Sequence, residues 1–286
     1  MKPPAPRRLA LSAATSIVAL TAAPALASEW AAIFNHDDVP EGPALRPIAP
    51  EPHPYSLDQG RFQIEISPFS YAYNRRDGDG TRIRSHAFDI PALLKYGLTD
   101  TIDIQVGADL FVWEHSRERG ESDWDTDSGF GDLTFRVKKN LWGNQGETPT
   151  ALAVMPFLVF PTATGGMGET GIRGGLMAPW EWVFAEGWSL DVVPSIAAVR
   201  NLDDDGYETE FAGLFTVNRE IREGLEAFVD LHAAVTTESG RKWLGVVGVG
   251  LTIEIDDNLA LEPAVHFGVT READDFAASL TLVRRF

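Results

Sequence analysis

Long stretches of the chain between residues 61 and 286 alternate apolar with polar or small side chains, and this pattern restricts the possible folds more than any other feature. Ile102, Ile104, Val106, Ala108, Leu110 and Val112 take every second position, with Asp103, Gln105, Gly107 and Asp109 between them; Phe111 and Trp113 break the rule near the far end. Trp243, Gly245, Val247, Val249, Leu251, Ile253 and Ile255 repeat it, as do Leu259, Leu261, Pro263, Val265, Phe267 and Val269. A period of two places such residues on one face of a strand, whereas a helix would scatter them around its axis. The runs cover 61–73, 83–97, 101–114, 130–142, 149–161, 171–184, 188–200, 207–218, 224–237, 243–255, 259–270 and 276–286. Most exceed the usual strand of about five or six residues, and a tilted strand crossing a hydrocarbon layer needs about 9–11. The expected fold is all-β: an antiparallel up-and-down transmembrane β-barrel of about 12 strands.

The connections alternate in kind, as a barrel with both chain ends on one side requires. Short ones fall at Leu98–Thr101, Gly143–Thr148, Ala185–Gly187, Arg219–Glu223 and Asp256–Asn258. The others are generally longer and more charged: Asn74–Arg82, Glu114–Gly129, Thr162–Thr170, Asn201–Gly206, Glu238–Lys242 and Arg271–Asp275. Trp142, Trp182, Phe184 and Trp188 flank short turns, while Tyr71, Tyr73, Trp113, Phe130, Phe160 and Tyr207 lie at the opposite strand ends, as aromatic girdles at two interfaces would. The last run places Phe276, Ala278, Leu280 and Leu282 on one parity and stops on Phe286. An alternating terminal strand closed by an aromatic resembles the insertion signal read by the barrel-assembly machinery, so Phe276, Leu280, Leu282 and Phe286 are its expected elements.

Residues 1–27 read as a Sec signal peptide. Lys2, Arg7 and Arg8 form a basic region, Leu9–Leu20 an apolar one, and Pro24-Ala25-Leu26-Ala27 a cleavage pattern before Ser28. Residues 28–60 carry Pro40, Pro43, Pro47, Pro50, Pro52 and Pro54, which forbid continuous helix or central strand. This segment is expected to be a periplasmic extension that either folds into the barrel mouth or stays disordered, with residues 61–286 forming the barrel. No stretch after Ser28 has the roughly 18 consecutive apolar residues of a membrane-spanning helix. The chain has no cysteine, which excludes disulfides and thiolate metal sites. Its net charge of -18 argues against nucleic acid as a partner. The expected address is the outer membrane of a Gram-negative bacterium, among its lipids and lipopolysaccharide.

In a closed barrel the second parity faces the lumen, and it is rich in charge. Lys95, Asp103, Asp109, Asp132, Arg136, Lys138, Arg173, Glu181, Asp230 and His232 are the lumen-lining candidates. An open lumen of this kind would pass small solutes by diffusion and mildly favour cations or neutral molecules. In the alternative, Arg136, Lys138 and Arg173 pair with Asp132, Glu181 and Asp230 and rigidify or plug the barrel.

Three segments carry a family resemblance: Ile90-Pro91-Ala92-Leu93-Leu94-Lys95-Tyr96-Gly97-Leu98-Thr99-Asp100, Gly129-Phe130-Gly131-Asp132-Leu133-Thr134-Phe135-Arg136-Val137-Lys138, and Phe160-Pro161-Thr162-Ala163-Thr164-Gly165. Over roughly residues 55–286 the chain resembles outer-membrane transporters grouped as the MetA-pathway-of-phenol-degradation family. The resemblance implies a barrel that passes small, often aromatic or hydrophobic compounds, and brings no catalytic residues with it.

Other motifs fail. Gly165-Gly166-Met167-Gly168-Glu169-Thr170-Gly171 lacks the Lys-Ser/Thr ending of a phosphate loop, and the six His residues show no metal-ligand spacing. His86 and His266 with Ser85 and Ser279 are the nearest approach to a barrel lipase or deacylase, but no spacing joins them. The leading expectation is therefore a cofactor-free, metal-free channel, not an enzyme. The runner-up is a closed structural or surface-interaction barrel whose acidic loops meet cations, lipopolysaccharide or other cells.

Overall fold

Each alternating run is a strand, and each strand pairs antiparallel with its neighbours in the chain. The structure, a computed structural model, describes residues 52–286 apart from 79–80, 119–120, 122, 147, 202 and 238–242. The signal peptide, most of the Pro-rich segment and the Glu238–Lys242 loop lie outside the described residues. Among those described, the strand segments are β1 (Phe62–Gly78), β2 (Thr81–Thr99), β3 (Ile102–Glu118), β4 (Asp125–Gly129), β5 (Leu133–Trp142), β6 (Thr150–Phe160) and β7 (Arg173–Met177). They continue with β8 (Trp180–Ala185), β9 (Trp188–Arg200), β10 (Tyr207–Arg222), β11 (Leu225–Thr236), β12 (Leu244–Asp256), β13 (Leu259–Gly268) and β14 (Phe276–Arg285).

The sheet closes where β1 pairs with β14, Gln63 opposite Arg285 and Tyr73 opposite Phe276. Closure removes the free edges of an open sheet. The segments make 12 staves, because two staves are interrupted. β4 pairs with the outer half of β3 and β5 with its inner half. Between them Gly131 N donates to Asp109 O at 2.7 Å, so the ladder is bridged. β7 and β8 both lie between β6 and β9, separated at Ala178-Pro179. Proline has no N–H to give the ladder there, but its carbonyl accepts from Ala153 N at 2.9 Å and Ala178 N reaches Pro194 O at 3.0 Å.

Burial is inverted relative to a soluble protein. The largest fully buried side chains include Lys95, Lys138, Gln63, Gln105, Glu65 and Asp103, while Leu94, Val106, Phe111, Phe135, Leu158, Phe211, Phe215, Val229 and Val249 are exposed. An apolar outer belt with a polar interior is what a barrel needs in hydrocarbon. Trp142, Trp182, Phe184 and Trp188 are exposed at the short-turn end, the Trp182 and Phe184 rings 5.6 Å apart. The positive φ of Gly187 (66°) and Gly224 (73°) sits at two of the tight turns there, a conformation that other residues adopt at a steric cost.

The ladder departs from the sequence reading in two ways. First, the expected outer loops Asn74–Arg82 and Glu114–Gly129 are largely strand, since β1 runs to Gly78, β2 begins at Thr81 and β3 continues to Glu118. Beyond the bilayer both faces of a strand are wet, so the backbone ladder persists without apolar alternation. Second, bulges invert the parity of two strands. Ile90 pairs with Phe111 but Pro91 with Asp109, leaving Leu110 as an extra residue in β3. Past it Phe111 and Trp113 face outward, which explains their breach of the alternation. On β1 a shift between Ile66 and Phe69, at Ser67-Pro68, does the same.

Candidate functional site

The inward parity of the strands defines the lumen, and the chain's own N-terminal segment lies inside its short-turn end. Pro52 to Gly60 leaves β1 and enters the barrel mouth, where Leu57 is buried. Gly60 N donates to Gly97 O at 2.8 Å and Gly97 N to Arg61 O at 3.0 Å. The fit is close: a Cβ on Gly97 would lie 1.9 Å from Asp58 O. No side chain larger than hydrogen is compatible with that approach.

Inward side chains hold the segment. Lys138 Nζ donates to His53 O at 3.1 Å and Tyr55 O at 2.7 Å. Asn140 Nδ2 donates to Pro54 O at 2.9 Å, and Asn144 Oδ1 accepts from Ser56 N at 2.7 Å. Asp103 Oδ2 accepts from Leu57 N at 3.2 Å and lies 3.9 Å from Lys138 Nζ. The Tyr55 hydroxyl donates to Glu181. Lys95 Nζ approaches His53 Nε2 at 3.3 Å and Glu65 at 3.5 Å; Glu65 accepts from Gln63, which accepts from Arg285. Gln105 Nε2 donates to Asp103 Oδ1 at 2.8 Å. Arg136 shares this buried layer. Burying such charges is tolerable only because they are paired and hydrogen-bonded.

The remaining sequence candidates form two further groups. Asp132 organises the loop after β6: its Oδ1 accepts from Thr162 N and Ala163 N, both at 2.9 Å, and its Oδ2 from Glu169 N at 2.6 Å. The glycine-rich 165–171 segment therefore already spends backbone donors on a carboxylate of this chain. Asp109 lies beside it, since a Cβ on Gly131 would touch the Asp109 side chain at 2.5 Å. Arg173, Asp230 and His232 belong to a second wall. Arg173 pairs with Glu210 at 2.6 Å and Glu169 at 3.8 Å, and Asp230 with His266 at 3.4 Å. In the structure Lys138 meets Asp103 and the carbonyls of the N-terminal segment, and Arg173 meets two glutamates. Partner choice depends on cross-strand register and loop return, which parity alone does not set.

A sequence profile of the family described as "Putative MetA-pathway of phenol degradation" matches residues 49–286. The chain belongs to this family. Its fold is shared with an outer membrane channel from Pseudomonas putida F1 at a TM-score of 0.64 and 17% identity, covering 84% of this chain and 100% of the other. A NanC porin matches at 0.46 and 10% identity over 77% and 97% of the two chains. A structure titled CymD monoaromatic hydrocarbon channel matches at 0.45 and 8% over 80% and 89%. No protein of curated function matches by sequence.

In this family member the inward wall is not uniformly polar. Met155, Phe157, Val193, Leu214 and Phe228 share the inward parity, Phe157 opposite Arg136 and Phe228 opposite Asn218. Among the described residues no group of His, Asp or Glu is arranged to hold a metal ion. His86 Nδ1 lies 2.7 Å from the Tyr71 hydroxyl, Ser85 Oγ donates to Asn74 O and His266 faces Asp230. The terminal strand puts Phe276, Leu280, Leu282 and Phe286 on the outer face, and Phe286 exchanges backbone hydrogen bonds with Phe62 at 2.8 and 3.2 Å. Sequence reasoning missed His53, Tyr55, Leu57, Gln63, Gln105, Asn140 and Asn144. Parity alone could have flagged the strand residues among these; the side-chain contacts of the plug span 42 to 126 positions and leave no local trace.

Proposed function

We propose that this barrel is an outer-membrane channel for the passive passage of small molecules, hydrophobic or aromatic ones included, gated by its N-terminal segment. One observation carries the reading: a closed barrel with a mixed polar and apolar inner wall, whose mouth holds a segment bound to that wall largely by side-chain and backbone hydrogen bonds. Passage would follow release or rearrangement of residues 52–60, with no chemical step and no cofactor. The Phe157, Leu214 and Phe228 rings and side chains beside Arg136, His232 and Asn218 would let an amphipathic or aromatic solute keep contact with the wall. Export through a Sec signal at residues 1–27, insertion by the barrel-assembly machinery through Phe276, Leu280, Leu282 and Phe286, and a surrounding of lipopolysaccharide belong to the same proposal. The family's place in phenol degradation is in keeping with a cargo of that class.

The buried ion pairs favour one competing reading, a permanently closed structural barrel. Solute flux separates the two. Liposomes carrying the mature protein should admit a small phenolic solute, and protein lacking residues 52–58 should do so faster and conduct in a planar bilayer. Absence of both flux and conductance in both proteins would sink the channel reading.

A further inference from the structure

Past the bulges at Ser67-Pro68 and Leu110, the outward faces of β1, β2 and β3 carry matched rows. Tyr71, Phe88 and Trp113 are directly cross-strand, then Tyr73, His86 and His115, then Arg75, Arg84 and Arg117. Three guanidinium side chains thus stand side by side on the outer wall of a chain whose net charge is -18. Like charges directly opposite on a sheet are destabilising, so such a row asks for a counter-ion. None of the three forms an ion pair with a carboxylate among the described residues. Asp275 accepts from the Arg75 backbone N at 2.7 Å, not from its guanidinium. Arg75 and Arg84 are exposed. Arg117 stacks on Trp124 at 4.6 Å from the ring centroid, and Trp124 stacks on His115 at 4.3 Å and 7°. Stacking through its face leaves the guanidinium N–H edge available.

The row's height relative to the membrane matters as much as its charge. Phe69, exposed at 46%, and Phe111, at 39%, mark the apolar belt below it. From Phe88 to Arg84 is four residues along β2, about 13 Å at strand rise. With a strand tilt of about 35–45°, the arginines stand roughly 10 Å above that belt. This is the level of lipid headgroups, at the end opposite the short turns. The row sits on the lipid-facing side, not over the lumen.

We propose that Arg75, Arg84 and Arg117 form a docking site for the phosphate groups of lipopolysaccharide in the outer leaflet. Arginine forks match phosphate oxygens in bidentate geometry, and a phosphorylated lipid with its acyl chains beside Phe69, Phe88 and Phe111 would contact both levels of this face at once. The proposal rests on the outer-membrane placement above but not on what the lumen passes.

The test uses the mature protein purified in detergent, with diphosphoryl lipid A as the probe and native mass spectrometry as the readout. The Arg75→Ser/Arg84→Ser/Arg117→Ser variant should bind lipid A at least about tenfold more weakly, the scale of a lost charge-assisted contact. Lipid A stripped of its phosphates should bind the native protein as weakly as the variant binds the intact lipid. Arg84→Glu alone, at an exposed position, should give a loss of the same sign. A heat-modifiable band on a denaturing gel shows that each variant is folded, and phenolic flux into liposomes should stay unchanged. Binding equal to the native protein in the folded triple variant overturns the proposal, as does undiminished binding of the dephosphorylated lipid. An equal dependence of phosphatidylglycerol binding on the three arginines overturns the assignment to lipopolysaccharide. Absence of flux in the native protein, with its lipid A binding intact, would instead count against the channel reading alone.

Discussion

Replacing Lys138 by Met tests the gate at a residue that holds the segment by two of its carbonyls. The ammonium donates to two plug carbonyls, at 3.1 and 2.7 Å, and stands 3.9 Å from Asp103 with both side chains fully buried. Hydrogen bonds to a charged group contribute about 1.5–3 kcal/mol each, so losing two removes roughly 3–6 kcal/mol from the plugged state. Asp103 would also be left buried without its cation, a defect of about 3–5 kcal/mol that water entering the mouth would relieve. These neighbouring terms are not additive, so only the lowest figure, about 3 kcal/mol, is taken forward. At about 1.4 kcal/mol per decade it raises the unplugged fraction roughly a hundredfold. In single-channel recordings the variant should show long openings that are rare in the native protein. The double variant Lys138→Met/Asp103→Leu removes the stranded charge as well, so it should open the mouth without weakening the barrel. If both variants remain folded by gel shift and keep the native open probability, these contacts do not retain the plug and the reasoning is refuted.

Two further outcomes follow from the geometry. Gly97→Val should expel the plug without changing any charge, because its Cβ would meet Asp58 O at 1.9 Å and Leu57 O at 2.7 Å; conductance equal to the native protein in a folded barrel would show that the mouth can absorb the intrusion. Removing Phe286 should lower the folded, heat-modifiable fraction in the outer membrane several-fold, since it deletes both the terminal aromatic and the two backbone bonds to Phe62; unchanged assembly would separate the terminal residue from insertion.

The number of staves was legible because it follows from local alternation. The exceptions were legible too, although their meaning was not. Phe111 and Trp113 broke the pattern of β3 because Leu110 is an extra residue, and the same slip at Ser67-Pro68 turns Tyr71, Tyr73 and Arg75 outward. The run 171–184 was read as continuous across Ala178-Pro179, where neighbouring carbonyls and amides keep the ladder joined, whereas β4 fell inside the expected Glu114–Gly129 loop. The hairpin ends were read as loops since Asn74–Arg82 and Glu114–Gly129 lack alternation, yet paired backbone in water does not require it. The site was legible in composition only. Lys138 and Asp103 could be assigned to the lumen, but that they hold His53, Tyr55 and Leu57 depends on how the preceding chain folds back. No periodicity encodes that return.

The polarity of the plug contacts has a consequence for gating. A stopper held by apolar burial would have to expose that surface each time it left, at about 25 cal/mol for every Å². Here the contacts on His53, Pro54, Tyr55 and Ser56 are hydrogen bonds to inward Lys95, Lys138, Asn140, Asn144 and Glu181, and water can replace every one of them. Exchange with water leaves a net of about 0.5–1.5 kcal/mol for each neutral bond and somewhat more for charged ones. Release also returns about 1–2 kcal/mol of backbone entropy per freed residue. Over His53 to Leu57, with one or two tethers per residue, the returned entropy offsets much of what the tethers contribute. Such a segment can close the mouth firmly while all its partners are present and still leave on a modest perturbation. Removing a single partner is different in kind, because it strands the others without water or protein to meet them. That asymmetry makes Lys138 and Asp103 the informative positions, and it predicts that their paired replacement opens the mouth more cleanly than either change alone.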